Sequence, residues 1–201
     1  MDVPRFAFDS GNPSLDFANT WGSRVDPSTD RLHSYPELVA WAVQGGILSA
    51  GEGRRLLERA ARQRARSREV VERALQLREA TYGSFSRVAA GRPPRAADLE
   101  VVNRELAGAL PHLRLRAAGP RCRVEWEALN DALDGMLWSV ARAAAELLSS
   151  ERVDRVRECA SETCSWLFLD DSRNRCRRWC DMASCGNRAK ARRYYERHRR
   201  G

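Results

Sequence analysis

The chain has 201 residues, 43% of them hydrophobic and 31% charged, a balance that excludes a disordered protein and leaves room for one ordinary domain with a small appendage. Lys and Arg number 35 against 27 Asp and Glu, a net charge of +8, and the surplus is uneven: residues 151–201 hold fourteen basic and eight acidic side chains. No run of about 18 apolar residues occurs, which argues against a membrane span, and Met1-Asp2-Val3-Pro4-Arg5 lacks the basic-then-apolar pattern of a secretory leader, so a cytoplasmic protein is expected.

In chain order, Phe6 and Phe8 flank Ala7 and are followed by Leu15, Phe17 and Trp21, a pattern that suits a strand leading into a short helix or loop. Ser34 with Pro36 marks a helix start, and Leu38, Val39, Trp41 and Ala42 carry that helix to Gly45-Gly46. A second helix is expected over 51–64, with Leu56, Leu57, Ala60 and Ala61 on one face. A longer one begins at Ser67 and runs through Val71, Leu75, Tyr82, Phe85 and Val88 to the Gly91-Arg92-Pro93-Pro94 break. Leu99, Val102, Leu106 and Leu110 define another, closed by Pro111. Leu113 and Leu115, then Cys122, Val124 and Trp126, alternate across a Gly119-Pro120 turn and predict a β-hairpin with Cys122 as a small core residue. Leu129, Leu133, Met136, Leu137, Val140, Ala144, Leu147 and Leu148 form the clearest amphipathic pattern. Residues 151–158 read as a polar connector or short strand. The fold class expected is α+β: a mostly helical domain over 1–150 with short hairpins, and a small C-terminal module over 151–201.

That module carries Cys159, Cys164, Cys180 and Cys185, two C-x4-C pairs. Each pair can fold its thiolates back around one ion, and two pairs complete the four-sulfur tetrahedron of a structural Zn²⁺, with Zn–S of about 2.3 Å. One zinc per chain is expected. With all four positions filled by protein it is structural, and the reducing compartment favours metal over disulfides. Buried thiols without metal are the plainer alternative. Cys176, which would make a C-x3-C pair with Cys180, reads as a bystander. Trp166 to Leu169 suggest a strand, Asp170-Asp171-Ser172-Arg173-Asn174 a turn, and Arg177-Arg178-Trp179 a returning strand or extended arm. So small a unit cannot fold on its own apolar area, which makes zinc plus Trp166, Phe168 and Trp179 its remedy. The proline-free run from Asn187 reads as a helix with Cys185 near its N-terminus, where the dipole favours a thiolate. Knuckle, hairpin and ligand at a helix start together are treble-clef-like.

The stretches Cys164-Ser165-Trp166-Leu167-Phe168-Leu169-Asp170, Ser172-Arg173-Asn174, Arg177-Arg178-Trp179-Cys180-Asp181-Met182 and Cys185-Gly186-Asn187-Arg188-Ala189-Lys190 resemble the CGNR zinc-finger family across nearly all of 157–195. The N-terminal part resembles the ABATE domain that precedes such fingers, through Leu15-Asp16-Phe17-Ala18-Asn19-Thr20, Asp30-Arg31-Leu32 and Leu38-Val39-Ala40-Trp41-Ala42. The resemblance implies a stress-induced transcription regulator and brings no enzymatic activity with it. Cys176 departs from the family pattern.

Between Arg173 and Gly201 eleven basic residues face two acids, Asp181 and Glu196. A charge run is ordinarily a solvated helix face, but this density points to a polyanion. Arg188, Arg192, Tyr195 and Arg199 fall on one helical stripe. The candidate nucleic-acid residues are Arg173, Arg175, Arg177, Arg178, Asn187, Arg188, Lys190, Arg192, Arg193 and Arg197, with DNA the expected partner and RNA equally compatible with the charge. Arg177 or Arg178 could instead be structural, pairing with Asp170 or Asp171. Asp16, Asn19, Thr20 and Trp21 group polar atoms beside Phe17; they form either a network tying the N-terminus to the core or one wall of a pocket for a small-molecule effector. His33, His112 and His198 are isolated, and no Ser/His/Asp set, phosphate loop or useful carboxylate pair occurs, so no enzyme is expected. A homodimer would double the few base contacts of one finger. The rival function is a zinc-stabilised protein-interaction or redox module without specific DNA binding.

Overall fold

The computed structural model describes residues 3–199, the side chains of Arg193, Glu196 and Arg197 apart. The segment holding Phe6 and Phe8 is not the expected strand. It runs as irregular chain, with the Phe6 N–H donating to Gln44 Oε1 at 2.9 Å. Helix α1 (Pro13–Ala18) begins at Asn12, whose side chain accepts from the Ser14 N–H, with Pro13 in the first turn. Strands β1 (Trp21–Ser23) and β2 (Asp26–Asp30) form a short antiparallel hairpin. Helix α2 (Tyr35–Gln44) starts at Ser34 and stops at Gly45, after which Gly46 takes φ +72°.

Helix α3 (Ala50–Arg62) opens on a complete capping box between Ser49 and Glu52. Helix α4 (Arg64–Ala89) follows directly, three residues before the expected start at Ser67, and is the axle of the domain. Helix α5 (Ala96–Ala109) ends in a 3₁₀ turn around Pro111. Strands β3 (Leu113–Ala118) and β4 (Arg121–Trp126) pair in full register, from Leu113 opposite Trp126 to Ala118 opposite Arg121. Helix α6 (Gly135–Leu148) needs glycine at its start, because a Cβ there would meet the Leu129 carbonyl oxygen at 2.2 Å.

The 3₁₀ turn Glu151–Arg155 leads into β5 (Val156–Glu158), which pairs antiparallel with β6 (Leu167–Leu169). Of the two forms expected for 177–179, a returning strand or an extended arm, the segment is not a strand, and β6 pairs instead with β5, within the stretch read as a connector or short strand. A π-helical turn, Met182–Gly186, then runs into α7 (Asn187–His198).

The main core gathers Leu15 and Phe17 of α1, Leu38 and Trp41 of α2, Leu77 and Phe85 of α4, and Met136 and Leu137 of α6. It also takes in Val156, Leu167 and Leu169. The composition change near 150 therefore crosses a continuous core, and the β5–β6 ribbon is built on the helical domain. A second, smaller cluster holds Phe168, Trp166, Trp179 and the four paired cysteines. The β3–β4 hairpin projects without a layer over its outer part. Leu115 is 73% exposed, and Cys122 is exposed rather than a core residue as expected. No helix among the described residues is long and apolar enough to cross a membrane.

Candidate metal centre and basic helix

The first knuckle turns between the ends of the ribbon. The Cys159 N–H donates to the Trp166 carbonyl at 2.9 Å and the Cys164 N–H to the Ser161 carbonyl at 3.0 Å, so both sulfurs point to one side of a closed loop. The second pair is shaped by Asp181, whose carboxylate accepts from the N–H groups of Ala183 at 3.1 Å and Ser184 at 2.7 Å. That cap winds the π-helical turn and places Cys185 immediately before α7, at the helix start where it was expected. The four Sγ atoms lie within 4.8 Å of one another. Cys164–Cys180 and Cys180–Cys185 are each 3.7 Å apart. A tetrahedron with Zn–S near 2.3 Å requires S···S of about 3.8 Å, so the donor set fits that ion.

The charges argue the same way. Hydrogen bonds from Cys164 and Cys180 draw the Cys159 thiol far down, and the same contacts push Cys164 up to about 12 and Cys180 up as well. Thiolates packed this closely repel one another, and a divalent cation among them would offset part of that charge. Arg188 Nη2 donates to Cys185 Sγ at 3.0 Å, a bond from outside the ligand set that orients the sulfur.

Around the sulfurs, Asp170 is fully buried and organises the turn after β6. Its carboxylate accepts from the Ser172 N–H at 3.0 Å, the Ser172 hydroxyl, and the Arg177 N–H at 2.8 Å. Burial alone would raise this carboxyl, but the hydrogen bonds prevail and hold it below the usual range. Arg177 is absorbed into the finger: Nε donates to the Trp179 carbonyl at 2.9 Å, Nη2 to the Cys180 carbonyl, and the guanidinium lies 4.5 Å from the Phe168 ring centroid. These bonds engage Nε and Nη2 and fit the structural alternative for Arg177, made through backbone carbonyls. Asp171 pairs with Arg152 at 3.6 Å and Arg155 at 3.9 Å, not with Arg177 or Arg178.

The remaining cations divide. Arg173 and Arg175 are exposed in the turn, with Arg175 at φ +49°. Asn187 is exposed and donates to the Ala183 carbonyl at 3.0 Å, and Lys190 is exposed on α7. Arg178, Arg188 and Arg192 come together with Ser161, Glu162, Thr163 and Trp179 around a cavity of about 440 Å³ between the first knuckle and α7. Arg192 pairs there with Glu162. The side chains of Arg193 and Arg197 lie outside the described residues. Tyr195 and Arg199, on the same stripe as Arg188 and Arg192, are exposed.

The four residues proposed as a pocket wall are used internally. Asn19 makes a reciprocal pair with β6: Nδ2 donates to the Leu167 carbonyl and Oδ1 accepts the Leu167 N–H, both at 2.9 Å. Asp16 accepts the Ser10 N–H at 3.0 Å, and the Ser10 carbonyl accepts from Leu169 at 2.8 Å. Burial pushes the Asp16 carboxyl up. Thr20 Oγ1 donates to the Phe17 carbonyl at 2.8 Å. Trp21 is flanked by the Arg24 and Arg78 guanidinium groups, 5.2 and 5.3 Å from its ring. Asn19, and Asp16 through Ser10, thus join the N-terminal domain to β6, while Thr20 and Trp21 are engaged within that domain.

Sequence reasoning missed the rest of that joint. Tyr82 Oη and the Ser86 hydroxyl donate to the two Glu158 carboxylate oxygens at 2.8 and 2.7 Å, next to Cys159. The Arg24 N–H donates to Ser165 Oγ at 3.1 Å, next to Cys164. Neither has a local signal, because the partners lie 72 to 141 residues apart.

A mostly helical domain thus carries a ribbon-mounted cluster of four cysteines that opens directly into a basic helix. Residues 11–151 match the family model described as "ABATE: Putative stress-induced transcription regulator", and residues 155–198 match the CGNR zinc finger. The chain belongs to the ABATE family, with a CGNR zinc finger at its C-terminus. No curated protein matches it.

Proposed function

We propose that this protein is a zinc-dependent DNA-binding transcription regulator, acting by binding rather than catalysis. One structural Zn²⁺ per chain is held by Cys159, Cys164, Cys180 and Cys185. The observation that carries the reading is the continuity between metal centre and basic helix: Cys185 is the last-but-one residue of the turn that becomes α7. When bound, the cation would offset two of the four thiolate charges and tie the second pair to the first. This chain's residues supply the rest. The N-terminal domain holds the first knuckle through Asn19, Tyr82, Ser86 and Arg24, Asp181 winds the turn, and α7 presents Arg188, Lys190 and Arg192 to phosphates. On this reading the N-terminal domain senses an effector or brings two copies together, and the shared core is the route by which either alters the finger.

Metal analysis of purified protein, beside DNA binding titrated with salt on random and genomic fragments, tests the proposal. One zinc per chain and a log–log salt slope of about −3 to −5 are expected, at about −0.9 per phosphate contacted. Cys185→Ser should lose zinc and DNA affinity together. Zinc binding with no DNA binding at low salt would refute the regulator and leave an interaction module.

A further inference from the structure

The cavity between the first knuckle and α7 is lined by three arginines that reach it from two separate segments. Arg178 comes from the arm before Cys180, pinned there because its carbonyl accepts the Ala160 N–H of the knuckle at 2.9 Å. Arg188 and Arg192 stand four residues apart on α7 and so share one face. Arg188 is preset by its bond to Cys185 Sγ, which uses one of five guanidinium donors. Arg178 has no carboxylate partner among the described residues; its guanidinium lies 5.5 Å from the Trp179 ring centroid. Glu162, from the knuckle loop, is the one acid lining the cleft among the described residues, and it pairs with Arg192.

We propose, building on the DNA-binding reading, that this cleft is the seat for a nucleic-acid backbone phosphate. Arg178, Arg188 and Arg192 receive one phosphodiester, and Glu162 is a built-in competitor that the phosphate displaces from Arg192. Four thiolates around a divalent cation would leave two negative charges; against these and Glu162 the three arginines make the cleft close to neutral in the free protein, and displacing Glu162 leaves one positive charge for the phosphate. The Glu162–Arg192 pair is open to water, with side chains 72% and 58% exposed, and exposed pairs are weak. A phosphate held by three guanidinium groups therefore displaces the carboxylate readily, and bidentate guanidinium geometry suits it. Glu162 sets affinity by occupying the seat in the free protein. The Ser161 and Thr163 hydroxyls on the same loop add neutral donors at the rim.

The test uses the full-length zinc-loaded protein and measures binding to one DNA duplex and the matching RNA duplex as salt is varied. Glu162→Gln should tighten binding about fivefold at 0.1 M salt. Arg178→Ala should weaken it about tenfold on every sequence and make the salt slope shallower by about one unit. Arg66→Ala, on the helical domain, should change neither. The decisive measurement is Glu162→Gln in an Arg192→Ala background, where the gain should fall below about twofold because the displaced pair no longer exists. An undiminished gain there, or no effect of Arg178→Ala in a wild type that binds DNA with a clear slope, overturns the phosphate seat and leaves the regulator standing. A wild type that binds neither nucleic acid overturns both. Equal effects on DNA and RNA support a seat that reads phosphate; effects confined to one overturn it.

Discussion

Asn19→Ala removes a side chain that bonds both backbone groups of Leu167 and so ties the β5–β6 ribbon to the helical domain. Asn19 is buried, and its amide meets both backbone groups of Leu167 at 2.9 Å. Alanine leaves a buried N–H and a buried C=O without partners. Each orphaned group costs about 1–3 kcal/mol, so the sum is roughly 2–6 kcal/mol. Asn19 keeps 7% of its surface open to solvent, so a water can reach part of the site and the lower half of that range, about 3 kcal/mol, is expected. In a chain of this size that lowers the melting temperature by about 6–12 °C. Urea unfolding monitored by tryptophan fluorescence and by far-UV circular dichroism, with zinc bound throughout, measures it. The Leu167 amide should also lose hydrogen-exchange protection ahead of the α4 amides. Asn19→Asp, which keeps the acceptor but sets a carboxylate against the Leu167 carbonyl, should cost at least as much at neutral pH. A loss below about 1 kcal/mol for both variants, with an unchanged denaturant slope, would refute the claim that this pair anchors the finger.

Removing both hydroxyls from Glu158, as Tyr82→Phe with Ser86→Ala, should leave its carboxylate poorly satisfied beside Cys159 and cost about 2–4 kcal/mol; faster zinc transfer to a competing chelator reads the same change at the knuckle. Acid should destabilise the protein through Asp30 among others. Burial raises that carboxyl, but the hydrogen bonds from Arg78 at 2.6 and 2.8 Å and from the Leu32 N–H prevail and hold it low. A carboxyl lowered by folding gives stability that is present above its unfolded value, near 4, and lost as pH falls through the folded one. Asp30→Asn should accordingly be less stable than wild type at pH 7 and show a flatter pH profile below about pH 4. Thiol titration of the zinc-loaded protein should find two fast cysteines, Cys122 and Cys176, both exposed. All six should react after chelation in denaturant; four fast thiols in the zinc-loaded native protein would contradict the ligand assignment.

The amino-acid sequence by itself determined the features whose causes lie within one turn or one loop. Ser34 with Pro36 starts α2 and Pro111 ends α5; the spacing of Cys159, Cys164, Cys180 and Cys185, with a proline-free run after Cys185, placed the sulfur cluster at the head of α7. The helix signals act between neighbours in the chain, and each C-x4-C pair is local although the two pairs lie apart, so pattern alone reveals them. Tertiary structure decided what depends on which surfaces meet. The partner of β6 is β5 rather than 177–179, because Val156, Leu167 and Leu169 share a buried face with α1 and α4. The same strand placement turns Asn19 into a bond to Leu167, 148 residues away, instead of a pocket wall. Cys122 is exposed although it alternates with apolar neighbours, because none of the described residues packs over the outer β3–β4 hairpin. Arg177 and Arg178 are adjacent and alike in sequence, yet one turns inward to carbonyl oxygens and Phe168 while the other lines the cleft. Charge pattern specifies how many cations a segment carries. Which of them keep donors free for a partner is set by the backbone carbonyls and rings that folding brings within reach.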